Sequence, residues 1–180
     1  MSAPARLRLH DASVRIDSMP VTGRDVDIAP SPEARAAIAA QLELSTVDAL
    51  DVHLHAVRFR GGIRVTGRLT ARVTQPSVVT TLPIVQDIAE PIDRIFLPGG
   101  EKDYAGPANA EIFVDLEGDD MPDHFEGNEA DLSELIVETL ALAVDLYPRE
   151  DGVSLEDAGY TPEAGIASPF EVLKALKPKE

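Results

Sequence analysis

The sequence predicts an α+β fold: one domain over residues 1–180, built on a mostly antiparallel β-sheet or partly open barrel with a few helices packed against it. Three observations carry this. The chain has 180 residues, 44% of them hydrophobic, which is enough for a core; with 4% aromatics and no Trp, that core must be made of Val, Ile, Leu and Ala. Residues 63–73 alternate strictly, with Ile63, Val65, Leu69, Ala71 and Val73 on one side and Arg64, Thr66, Arg68, Thr70 and Arg72 on the other. That period of two marks a half-buried strand with one solvated face. Finally, strands follow strands before a second helix comes, so the order lacks the strand–helix alternation of a doubly wound sheet.

In chain order, Leu7 to Val14 alternates and predicts a first strand, and Val21 to Ile28 a second after the turn at Met19-Pro20. Ser31-Pro32-Glu33 is a helix start, because a Ser hydroxyl can accept from free backbone N–H groups and Pro suits the first helical position. An Ala-rich helix over about 32–42 follows. Val47 to Arg60 is strand-like and leads through Gly61-Gly62, a turn dipeptide, into the alternating strand. Val78 to Ile84, Ile92 to Leu97 and Ile112 to Leu116 predict further strands. Pro98 to Lys102 is a turn, and about 117–130 is a mobile acidic loop. Asp131 as cap, with Glu134 three residues on, opens a long helix over about 131–147, whose apolar residues recur at helical spacing until Pro148 stops it. A polar connector over about 149–167 leads to a short C-terminal helix, Ser168 to Lys177, carrying Phe170, Leu173 and Leu176.

The chemistry these residues offer is sparse. Without Cys there are no disulfides, thiolate metal sites or cysteine nucleophiles. His53-x-His55 puts two imidazoles on one strand face, but no third ligand stands near, and two polar residues on an exposed face is the favoured account. Asp119, Asp120 and Asp123 are hard oxygen ligands without the spacing of a calcium loop. Pro98-Gly99-Gly100-Glu101-Lys102 lacks the ending of a phosphate loop, and no Gly-x-Ser-x-Gly element occurs. The expectation is therefore no catalytic residue, no metal and no cofactor. A small-molecule barrel or a concealed hydrolase ranks last. No signal peptide or membrane span is evident, so a cytoplasmic protein is expected.

Charge is the informative feature. The chain nets −16, yet residues 1–75 hold ten Lys+Arg against eight Asp+Glu, while the remainder holds six against 24. Two faces with different tasks would account for this, as would an acidic half that keeps the protein soluble. Arg58 and Arg60 end one strand, and Arg64, Arg68 and Arg72 line the next. Closed into a hairpin, these five guanidiniums would cluster on one sheet face, where their planar forks suit phosphate oxygens. No aromatic interleaves for base stacking, the neighbours of Phe59 pointing to its burial. The alternative is a solvated face whose arginines pair with acids from elsewhere in the chain.

Three segments together resemble the YceD family. Arg68 to Thr80 is similar to the family's central strand running into a cysteine-bearing turn. Asp131 to Ala143, continuing into Asp145-Leu146-Tyr147-Pro148-Arg149, resembles its acidic-capped helix and helix-ending Leu/Tyr-Pro. Ser168 to Lys177 resembles its C-terminal Pro-Phe-x-x-Leu-x-x-Leu signature. The chain departs from the pattern where many members carry Cys, at Ser77 and near Thr80, so no role resting on those cysteines transfers. The resemblance implies a non-enzymatic ribosome biogenesis factor that supports accumulation or processing of large-subunit rRNA. Its partners would be that rRNA or a precursor particle, reached through Arg58, Arg60, Arg64, Arg68 and Arg72, and also ribosomal proteins. The competing reading is a protein-only adaptor whose acidic half binds a basic partner.

Overall fold

The structure is a computed structural model that describes residues 7–99, 122–153 and 159. Three long strands form its body: β3 (Thr46–Phe59), β4 (Gly62–Pro76) and β5 (Pro83–Pro98). Ahead of them stand β1 (Ser13–Arg15), β2 (Arg24–Ile28) and α1 (Pro32–Gln41), and after them β6 (Asp123–Phe125), β7 (Glu129–Asp131) and α2 (Ser133–Ala143). The main sheet is open, in the order β2-β3-β4-β5-β6, antiparallel except that β6 joins β5 in parallel; β1 and β7 form a separate two-stranded sheet. The fold is thus mixed α+β on an open sheet, with no barrel closure among the described residues.

Alternation decides the layering. Ile63, Val65, Leu69 and Val73 of β4 are buried, as are Leu50, Val52, Leu54 and Ala56 of β3 and Ile88, Ile92 and Phe96 of β5. These side chains share one face of the sheet. On it pack α2 through Ile136 and Leu140, α1 through Ile38, and the small sheet through Val14 and Ala130, in one core cluster. The opposite face carries the polar half of the alternation.

Several boundaries differ from expectation, each for a physical reason. The β3–β4 turn is Arg60-Gly61 rather than Gly61-Gly62: both have positive φ (48° and 84°), as a two-residue hairpin turn matching strand twist requires. Gly62 already pairs with Phe59, and its missing side chain has another use, since a Cβ there would sit 1.9 Å from the Phe96 carbonyl oxygen. Val78 to Ile84 is not a strand. Ser77 turns the chain back by accepting from Val79 and Thr80 N–H groups with its hydroxyl, and a single 16-residue β5 begins only at Pro83. The first strand is Ser13–Arg15, the second Arg24–Ile28, both shorter than predicted.

The helix expected over 131–147 is α2, only 11 residues long. Its cap is Leu132, Asp131 accepting instead from the Ser133 N–H. It stops at Val144, whose backbone is extended, because the following segment spends its backbone groups on the sheet: Gln86 bonds Ala143 O and Asp145 N, and Gln75 bonds Asp145 O. Two short strands, β6 and β7, occupy the described part of the expected acidic loop. The strand predicted at 112–116 and the helix at 168–177 lie outside the described residues, as does most of the connector.

Candidate functional site

The five arginines do not form one cluster. Side chains alternate along β4, so Arg64, Arg68 and Arg72 share the open face with Thr66, Thr70 and Thr74. Arg58 pairs in register with the core residue Ile63 and so belongs to the opposite face. There its guanidinium donates to the carbonyl oxygen of Met19 at 3.1 Å, tying the N-terminal segment to the sheet. Arg60 sits in the turn, its guanidinium 4.9 Å from the centre of the Phe59 ring, a cation–π contact.

On the open face, carboxylates neutralise the arginine row. Arg64 makes a two-point contact with Asp93 of β5, Nε donating to Oδ1 at 2.8 Å and Nη2 to Oδ2 at 2.6 Å. Arg72 does the same with Asp87, at 2.7 and 3.1 Å. The hydrogen bond from each guanidinium is the main reason that the Asp93 and Asp87 carboxyls are held below the usual carboxylate range. Asp48, held low chiefly by hydrogen bonds from the Thr74 and Thr46 hydroxyls, joins them at one end. At the β2 margin His53 Nδ1 lies 2.7 Å from Asp27 and His55 Nδ1 2.6 Å from Asp25. Each imidazole has its own carboxylate, the two pairs lie side by side along the strand, and no group of three or more His, Cys, Asp or Glu among the described residues is placed to hold a metal ion.

Arg68, opposite His53 on one side and Pro91 on the other, is the guanidinium of the row without a carboxylate partner among the described residues. Three arginines thus face six carboxylates there (Asp25, Asp27, Asp48, Asp51, Asp87, Asp93). Sequence reasoning found the arginines but not their partners, which stand 15 and 29 residues further along the chain. The signal was available: Asp87 and Asp93 are six residues apart in a period-two stretch and must therefore share a face.

A second polar junction escaped sequence reasoning altogether. Glu150 accepts from the hydroxyls of Ser77 and Thr80, with Ser77 Oγ 2.7 Å away, and these two bonds, Thr80 the larger, hold its carboxyl below the usual range. Val78 N–H donates to Pro148 O at 2.8 Å beside them. On the covered side, Asp123 is the described carboxyl pushed upward, by burial foremost, with Arg94 opposing.

The family profile described as large ribosomal RNA subunit accumulation protein YceD matches residues 65–177, more than half of the chain. The chain belongs to the YceD family. The match starts inside β4, yet β3 pairs with that strand from end to end, so the folded unit of this YceD protein reaches well ahead of the matched span. No curated protein and no solved structure matches the chain. Ser77, where the resemblance sets a cysteine, and Thr80, near which it sets a second, are in this YceD chain the two hydroxyls that share Glu150. The family description links the chain to accumulation of the large ribosomal RNA subunit. No helix among its described residues is long and apolar enough to cross a membrane.

Proposed function

We propose that this YceD protein is a non-enzymatic cytoplasmic factor that supports accumulation of large-subunit rRNA by holding a basic protein of the precursor particle on its open sheet face. The observation that carries this is the two-point pairing of Arg64 with Asp93 and Arg72 with Asp87. A guanidinium whose Nε–Nη2 edge already holds a carboxylate has only its Nη1–Nη2 end to offer a phosphate, and its charge is already offset. The face then offers more carboxylates than arginines, which favours a cationic protein and repels a polyanion. The reading in which the arginines track RNA keeps one supporting residue on this face, Arg68.

The test is complementation. Removing the gene should lower the ratio of large- to small-subunit rRNA, and wild-type protein should restore it. Arg68→Glu should also restore it, whereas Asp25→Lys/Asp51→Lys/Asp87→Lys should not, at equal protein level and with the fold checked by circular dichroism. Failure of Arg68→Glu alongside success of the triple variant would replace this reading with phosphate recognition. An unchanged ratio on gene removal would reject both.

A further inference from the structure

At the end of the sheet where β4 turns into β5, large apolar side chains gather in the open. Val78 and Leu82 of the turn are 56 and 60% exposed, and Leu142, Leu146 and Tyr147 at the end of α2 and beyond it are 77, 76 and 73% exposed; Val85 of β5 pairs with Thr74 and so faces the other side of the sheet. A lone exposed apolar residue such as Val21 needs no explanation, but a cluster of this kind on a small protein marks a contact surface. The two halves of the patch are also fastened together: Gln75 and Gln86 bond the backbone at 143 and 145, Val78 bonds Pro148, and Ser77 and Thr80 bond Glu150. The surface is built before anything sits on it, which lowers the ordering cost of binding.

We propose that this patch seats residues 169–177 of the same chain, as a tethered cap. Three facts favour that occupant. The unbroken run of described residues ends at Val153, three residues past Glu150, so the segment beyond starts from the rim of the patch. The fifteen residues from 154 to 168 span up to about 50 Å when extended, far enough to return from any direction, and such a tether gives an effective concentration of roughly millimolar. The segment's sequence complements the patch: Phe170, Leu173 and Leu176 recur every third residue with Lys174 and Lys177 between and after them, and the rim carries Asp145, Glu150 and Asp151 against the single cation Arg149.

The absence of native cysteine makes the test direct. In the full chain, Val78→Cys/Leu173→Cys is oxidised with copper phenanthroline beside Val21→Cys/Leu173→Cys, whose first site is at the opposite end of the sheet. The cap predicts an intramolecular disulfide forming at least tenfold faster in the first pair, seen on non-reducing gels and by mass spectrometry. Equal rates overturn it, and disulfide-linked dimers alone assign the patch to a second copy instead. Independently, Phe170→Ser/Leu173→Ser/Leu176→Ser should raise binding of a hydrophobic dye severalfold and speed amide exchange at 142–147. Unchanged dye binding and exchange would also overturn it.

Discussion

If carboxylates silence the arginine row, removing them should raise the affinity of the protein for RNA. The perturbation is Asp87→Asn/Asp93→Asn, which keeps the shape of both side chains and removes the charged partner from the two-point contacts of Arg72 and Arg64. Each phosphate neutralised lowers log K by about 0.9 per decade of salt on a duplex and about 0.7 on a single strand. With Arg68 the one guanidinium of this face that has no carboxylate partner among the described residues, the face should contribute a wild-type slope near one. Two guanidiniums relieved of these carboxylates should steepen it, by at most roughly 1.4 to 1.8. Exposed ion pairs contribute little to stability, so the melting temperature should move by only a few degrees. The assay is fluorescence anisotropy of a labelled large-subunit rRNA fragment across a salt series. A necessary control is Asp25→Asn/Asp27→Asn, which removes the same formal charge but frees histidines rather than arginines; it should leave the slope nearly unchanged. The reasoning is refuted if the wild type already shows a slope near three, or if the control and the test variant steepen it equally.

Glu150→Gln should loosen the join between the β4–β5 turn and the segment after α2. Because the Glu150 carboxyl is held below its ordinary value of 4.5, the charged form contributes stability that is present above that pH and disappears as pH falls through the folded value. The melting temperatures of wild type and variant should therefore differ at pH 7 and converge in acid. Gly67→Ala should cost about 3 kcal/mol in denaturant unfolding, because its Cβ would lie 2.0 Å from the His53 carbonyl oxygen; Gly61→Ala, with open space around it and only its positive φ to suffer, should cost about 1. Arg58→Ala should lower stability by about 1 kcal/mol through loss of the bonds to Met19 O, and should leave complementation of rRNA accumulation intact, since that side chain is not on the open face.

Periodicity was readable wherever one side of a strand meets the core and the other meets water. Val47 to Arg60 and Ile63 to Val73 therefore appear in the structure nearly as predicted. Val78-Val79 misled because β-branched residues favour strands in general, whereas here the Ser77 hydroxyl captures the local backbone and turns it. The reach of α2 was overstated for a similar reason: Leu146 and Tyr147 keep helical spacing, but Gln75 and Gln86, some sixty residues away, claim the backbone at 143 and 145. The arginine site was half visible. Alternation placed Arg64, Arg68 and Arg72 together and should have set Arg58 apart, since it lies on the opposite parity across the hairpin from them. Partners such as Asp93 become visible only once the β4–β5 register is known.

The small sheet sets a schedule for synthesis. Val14 pairs with Ala130, and the Leu9 N–H donates to the Ser133 hydroxyl across 124 positions of sequence. The β3–β4 hairpin can close as soon as its own residues leave the ribosome, but the first strand has nothing to pair with until residue 131 follows it out. At about 5–20 residues per second that is a wait on the order of ten seconds, with Val14 and Leu9 exposed to other chains throughout. The first strand of this YceD protein is thus secured only after more than a hundred further residues have been made.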